Sequence, residues 1–179
     1  MFSVPNLFTS LRLLLAPVVI RAILHGQHNL ALAVFAIAAA TDGLDGAIAR
    51  QFKQITTAGA YLDPIADKVL LSGVYLALAI AEMLPWWFVA LIFGRDLLIL
   101  SFAVYAISFT TLRKFEPSVW GKLSTFLQIV TAVTWMARNV LMHPAVDVVA
   151  NALIWPTAAA TVWSGLHYAW RGLRTLRTH

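Results

Sequence analysis

The chain has 179 residues, 60% of them hydrophobic and only 12% charged, with a formal net charge of +5 at pH 7 and a mean hydropathy of +0.78. A soluble domain averages about 45–50% apolar and about 25% charged residues, so an ordinary water-soluble globule is excluded. No cysteine is present, which excludes a disulfide framework and thiolate chemistry.

Six apolar blocks are predicted as helices over 7–24, 29–50, 59–81, 86–110, 120–141 and 147–171. Each is long enough to cross a hydrocarbon core of about 30 Å. The expected fold is therefore all-α, an integral membrane bundle of six transmembrane helices forming one domain over 1–179. Ahead of the first block, Met1 to Asn6 lacks the basic n-region of a secretory signal. His25-Gly26-Gln27-His28-Asn29 separates blocks one and two, a polar Thr-containing stretch over 51–58 separates two and three, and Pro85 precedes block four. Arg113-Lys114-Phe115-Glu116-Pro117 separates four and five, and Pro144 divides the last pair. These short connections make consecutive helices antiparallel.

The basic residues set the orientation. Arg50, Lys53, Arg113, Lys114, Lys122, Arg171, Arg174 and Arg177 fall on one side together with the N-terminus and Arg12, against Arg21 and Arg138 on the other. Loops rich in Lys and Arg stay inside. Both termini are expected to face the cytoplasm, in a cytoplasmic (inner) membrane. Arg171, Arg174 and Arg177 form a basic stripe suited to anionic headgroups. The five histidines show no ligand spacing, which argues against zinc.

Four of the eight acidic residues lie in blocks two and three: Asp42, Asp45, Asp63 and Asp67. Ionisable groups inside membrane helices are costly and mark function by default. Asp42 and Asp45 share a helix face at i, i+3, and Asp63 and Asp67 share one at i, i+4. At about 1.5 Å per residue the two pairs come to matching depths, roughly 6–12 Å inside the cytoplasmic boundary of an antiparallel hairpin. Four carboxylates brought together require cations among them. An all-oxygen set favours Mg²⁺ or Mn²⁺, and a pair of ions suits phosphoryl-type displacement. A plainer reading pairs these acids with Arg50, Lys53 and Lys68 to hold helices together. It leaves four acids on facing stripes unexplained.

The run Asp42-Gly-Leu-Asp45-Gly46-Ala-Ile-Ala49-Arg50, then eight residues, Gly59, three residues, Asp63, three residues and Asp67 resembles the signature of the CDP-alcohol phosphatidyltransferase family. Every fixed position and both gaps match. The resemblance implies transfer of a phosphatidyl group from CDP-diacylglycerol to an alcohol, with release of CMP. It implies that Asp42, Asp45, Asp63 and Asp67 hold the metal and that Asp67 is the base for the acceptor hydroxyl. It further implies that Asp42, Gly46, Arg50 and Gly59 meet the CDP-lipid, and that the protein is a homodimer.

Pro5-Asn6-Leu-Phe-Thr9-Ser-Leu-Arg12 resembles the glycerol-type branch of that family, whose acceptors are phosphatidylglycerol and glycerol 3-phosphate. Arg95-Asp96 and the later Phe115-Glu-Pro-Ser118, Gly121-Lys122 and Ser124 resemble CMP-forming cardiolipin synthases more closely. Arg12, Arg95 and Lys122 are the candidate acceptor-binding cations, with snorkelling to headgroups as the competing role for Arg12. Neighbouring helix residues point about 100° apart, so Arg95 is expected to address the cavity or another carboxylate rather than Asp96. Other acceptors (inositol phosphate, serine) fit the aspartate chemistry equally. A divalent-cation transporter is the rival from another class, but the acids stop about halfway across, and Gly46, Arg50 and Gly59 serve no need of a channel.

Overall fold

A computed structural model describes the backbone over 4–52, 57–109 and 118–177, and side chains over 11–40, 67–102 and 118–172. All six predicted helices are present: α1 (Val4–Leu24), α2 (His28–Phe52), α3 (Thr57–Ile80), α4 (Trp86–Phe109), α5 (Val119–Leu141) and α6 (Pro144–Arg177). No strand occurs among the described residues. The last helix begins earlier and ends later than the apolar run suggested. At 34 residues it is about 51 Å long, because the Arg-rich tail continues the helix. Pro144 starts it at the position where a missing N–H costs nothing. His143 Nδ1 accepts from the Ala145 N–H at 3.2 Å, and Asp147 in the first turn complements the helix dipole.

Three tight turns close the hairpins at one end of the bundle. Each uses a residue in the left-handed region: Gly26 (φ 69°), Glu82 (φ 57°) and Met142 (φ 48°). After α1, Gln27 N–H donates to Ala22 O and Gly26 N–H to Ile23 O. After α3, Met83 N–H donates to Leu78 O and Glu82 N–H to Ala79 O. This is the paired bonding that satisfies the last carbonyls of a helix. Met142 closes α5 with a single bond to Arg138 O. The glycine of the first turn was visible in the sequence; Glu82 and Met142 accept the same geometry at a cost that glycine avoids.

Packing is not simply between sequence neighbours. α1 lies against both α2 and α3, α4 lies against α6, α5 against α6, and α2 against α5. Among the described residues α2 and α3 do not touch each other. The direct α2–α3 packing expected of a hairpin is therefore not found in their described parts, where α1 packs on both. Ala16, Val19, Ala22 and Ile23 of α1 are buried with Leu70, Val74 and Leu78 of α3 and Ala31, Phe35 and Ala38 of α2. Contact is close enough that a Cβ on Gly73 would come within 2.7 Å of Ile20 Cδ1.

The second half of the bundle is joined by a polar seam. Ser124, Gln128 and Thr131 of α5 and Thr157, Thr161 and Ser164 of α6 are fully buried. Ser124 Oγ meets Thr161 Oγ1 at 3.3 Å, Gln128 Nε2 donates to both, and Thr131 Oγ1 meets Thr157 Oγ1 at 2.8 Å. Hydroxyls and amides hold helices together where hydrophobic driving force is weak. Tyr75 ties α3 to this seam through its hydroxyl, which donates to Gln128 O at 2.8 Å, and it packs edge-on against Phe88.

The outer surface is apolar. Leu14, Leu97, Phe126 and Leu166 are between 61% and 69% exposed, and α4 turns Trp86, Trp87, Phe93, Leu97 and Leu100 outward. Among the described residues one segment, Pro144–Gly172, is by its own length and composition long and apolar enough to cross a membrane.

Candidate active site

Asp42, Asp45, Gly46 and Arg50 lie on α2, and Gly59 and Asp63 on α3; their side chains fall outside the described residues. Asp67, the last aspartate of the signature, is described. It sits about 15 Å along α3 from Thr57, 43% exposed, and its carboxylate pairs with the guanidinium of Arg12 from α1. Arg12 is 2% exposed. That burial overturns snorkelling as its role, because the guanidinium turns into the bundle to a carboxylate instead of out to headgroups. The hydrogen bond of the Lys68 ammonium goes to another helix. It reaches α4 and meets Asp96 Oδ1 at 2.5 Å.

Asp96 also receives Arg95 Nη1 at 2.7 Å, contrary to the expectation that adjacent helix residues do not face one another. The directional argument holds for Cβ vectors, but a long, flexible arginine stem carries its head group back across that angle. The other two nitrogens of Arg95 are engaged as well. Nε and Nη2 reach Ser164 Oγ at 3.3 and 2.9 Å, and Nη2 reaches Gly121 O at 3.3 Å. Both buried arginines are thus paired, as buried charge in an apolar medium requires.

Gly121 is the close-approach point of this second cluster. A Cβ there would lie 2.9 Å from the Tyr168 hydroxyl and 3.3 Å from Arg95 Nη2. Ser118 caps α5 by accepting from the Gly121 N–H at 3.1 Å, and its own N–H donates to the Tyr168 hydroxyl at 2.7 Å. The Ser118, Gly121 and Ser124 positions noted in the sequence therefore have a structural role, fixing the start of α5 and its seam with α6. Lys122, between them, is exposed.

A half-enclosed cavity of about 230 Å³ opens beside Asp67. Arg12, Asp67 and Lys68 form its charged end; Phe35, Ala38, Leu70, Leu71 and Ile129 form its walls. A second cavity, about 320 Å³, lies between α4 and α6 and includes Arg95, Gly94 and Gly165. Arg12 and Arg95 thus line different cavities, and Lys122 lines neither. Sequence reasoning missed Lys68 as the partner of Asp96. The signal was present: two opposite charges in facing apolar helices each needed a partner.

Chemically, Asp67 offers a carboxylate oxygen, half-accessible and oriented by a buried cation. That suits either a hard metal ion or a proton to be accepted. Among the described residues no three acidic, histidine or cysteine side chains converge, and the other three signature aspartates lie outside them.

Comparison with known proteins agrees with the signature. The CDP-alcohol phosphatidyltransferase family profile matches residues 2–163. A Mycobacterium tuberculosis protein named probable phosphatidylglycerophosphate synthase is 35% identical over 183 residues, covering 97% of this chain and 83% of its own length. The rat cardiolipin synthase (CMP-forming) is 31% identical over 197 residues, covering 98% of this chain; the chain spans only 64% of that relative. A Pseudomonas fluorescens CDP-diacylglycerol–glycerol-3-phosphate 3-phosphatidyltransferase is 34% identical over 187 residues, covering 97% of this chain and 93% of its own. With the signature spread over α2 and α3, and its last carboxylate held by a buried arginine from α1, the chain belongs to the CDP-alcohol phosphatidyltransferase family.

Proposed function

We propose that this protein is a membrane-embedded transferase that moves a phosphatidyl group from CDP-diacylglycerol to a glycerol-type acceptor, phosphatidylglycerol or glycerol 3-phosphate, with release of CMP. The observation that carries the reading is Asp67: the final carboxylate of the signature, accessible from a cavity and oriented by buried Arg12. The relatives' names support the glycerol-type acceptor. In the proposed reaction the acceptor hydroxyl gives its proton to Asp67 and its oxygen bonds to the donor phosphorus. The bond from phosphorus to the CMP oxygen breaks, and the electron pair leaves with CMP. Asp42, Asp45, Asp63 and Asp67 would hold Mg²⁺ or Mn²⁺; an all-oxygen donor set fits such ions. The ions would supply charge neutralisation on the transferring phosphate. Arg12 keeps the Asp67 carboxylate in place.

We further read all six helices as membrane spans, with the termini and the reaction centre at the cytoplasmic face. The exposed leucines and phenylalanine on the outer faces support this, since each helix presents apolar side chains where a soluble bundle would be polar. Trp86 and Trp87 at the start of α4 and Trp120 and Trp170 toward the other end are half-exposed, as aromatic residues at membrane interfaces are. The homodimeric state carries over from the family resemblance; single-molecule bleaching in nanodiscs that shows one subunit per disc would overturn it.

The decisive assay uses purified protein in nanodiscs, CDP-diacylglycerol and Mn²⁺ or Mg²⁺, with phosphatidylglycerol, glycerol 3-phosphate, serine and inositol phosphate supplied separately. CMP release with a glycerol-type acceptor, and a product of matching mass, is the expected result. No CMP with any acceptor, together with metal uptake by proteoliposomes, would replace this reading by a cation transporter.

A further inference from the structure

The cavity beside Asp67 has a shape and polarity that the phosphate chemistry does not use. Its charged residues are Arg12, Asp67 and Lys68; Phe35, Ala38, Ala39, Leu70, Leu71 and Ile129 are apolar, and Thr125, whose hydroxyl donates to Gly121 O at 3.1 Å, completes the lining. Ala38 lies one helical turn before Asp42 on α2, and Leu70 and Leu71 lie one turn beyond Asp67 on α3. The apolar part therefore extends away from the signature toward the end of the bundle closed by the tight turns. Phe35 and Ala38 are almost completely buried, so these walls belong to the interior and not to the outer lipid-facing surface.

We infer that this cavity receives the first part of an acyl chain of a lipid acceptor, and so selects phosphatidylglycerol over a water-soluble acceptor. The inference rests on the proposed reaction and names the acceptor for it. A single polyol phosphate has no apolar portion to place against these apolar walls, and dry apolar cavities favour apolar occupants. A phosphodiester lipid matches both ends. Its chain fills the apolar part, and its glycerol hydroxyl stays at the Asp67 end. Lys68, 44% exposed, has three donors and uses one toward Asp96, which leaves capacity for the lipid phosphate. Ala38 and Ala39 on the α2 side keep the space open where larger residues would fill it.

The test has two arms. In the first, CMP release is compared for long-chain and dihexanoyl phosphatidylglycerol in the wild type, Ala39→Leu and Ile129→Phe. Each methylene in a fitted apolar pocket is worth roughly 10–200-fold in selectivity. The expected result is a long-chain preference in the wild type that falls at least about tenfold in both variants. An unchanged preference overturns the inference while the reaction stands. In the second arm, which needs no variant to fold, phosphatidylglycerol bearing a mid-chain diazirine is photolysed on the wild-type protein. Labelling of peptides containing Phe35–Ala39 and Leu70–Leu71, competed by unlabelled phosphatidylglycerol, supports the inference. Labelling confined to outer residues such as Leu97, Leu100 and Leu166 overturns it. Wild-type turnover of glycerol 3-phosphate with none of phosphatidylglycerol also overturns the cavity assignment and leaves the transfer reaction intact, whereas no CMP with any acceptor removes the proposed reaction itself.

Discussion

Arg12 and Arg95 are the two buried arginines among the described residues, and they are held in different ways. Arg12 reaches from α1 to a half-exposed carboxylate on α3 that belongs to the family signature. Arg95 is surrounded: Asp96 on its own helix, Ser164 on α6 and Gly121 O on α5 share its donors. The first pairing leaves its carboxylate open to a cavity; the second ties three helices together. Burial alone thus does not distinguish the two arginines. What separates them is whether the partner remains accessible.

Asp67→Asn breaks the comparison most severely. A lost general base costs roughly 10²–10⁴-fold in turnover, and CMP release is expected to fall by that much with CDP-lipid binding affected less. Asp42→Asn and Asp45→Asn are expected to weaken Mn²⁺ binding as well, read by titration calorimetry. An equal loss of metal affinity in all these variants would make Asp67 a ligand only.

The two arginines are then contrasted directly. Arg95→Met takes one of the two cationic partners from Asp96 and a donor from both Ser164 Oγ and Gly121 O, so a loss of about 1.5–3 kcal/mol is expected, seen as a lower unfolding temperature in detergent. Arg12→Met leaves a carboxylate that solvent reaches, so its stability loss is expected to be smaller and its loss of turnover larger. If Arg95→Met instead leaves stability unchanged and raises the acceptor KM, Arg95 is an acceptor-binding residue as its position in the sequence suggested.

Gly121→Ala sharpens the structural side. Its new methyl would press on the Tyr168 hydroxyl and Arg95, and overpacking of this kind costs about 1–3 kcal/mol. Wild-type stability in this variant would mean that the Arg95 cluster yields easily. The smallest effect is expected at the turns. Met142→Gly relieves a left-handed residue costing roughly 1–2 kcal/mol but restores about 0.4–1 kcal/mol of unfolded-state freedom, so a slight rise in unfolding temperature is predicted.

The helices were legible because each apolar run has its own length and its own polar punctuation. The signature was legible because its residues fall within one stretch of chain. The α5–α6 seam was not. Thr131, Thr157 and Thr161 stand singly in apolar sequence, and only the antiparallel register brings them and Ser124 together. The Lys68–Asp96 pair escaped for a similar reason: its members are 28 positions apart, and the neighbouring Asp67 offered a nearer partner. Arg95 and Asp96 were separated by an argument about helix directions that neglects the reach of a long side chain. The grouping of the four aspartates involves three side chains outside the described residues, so the metal site rests on the signature.

On the six-span reading proposed above, Lys68 and Asp96 also bear on how the chain would enter a membrane. They stand on α3 and α4, the two helices of the middle hairpin, whose mutual packing is slight compared with that of α3 on α1 and of α4 on α6. During biosynthesis α5 and α6 emerge after this hairpin and cannot yet shield it. A lone aspartate or lysine at the centre of an inserting helix costs roughly 2.5–3.5 kcal/mol. On the proposed six-span reading, Lys68 and Asp96 joined across the hairpin would neutralise each other before α5 and α6 exist, which would lower the cost of placing this pair in lipid.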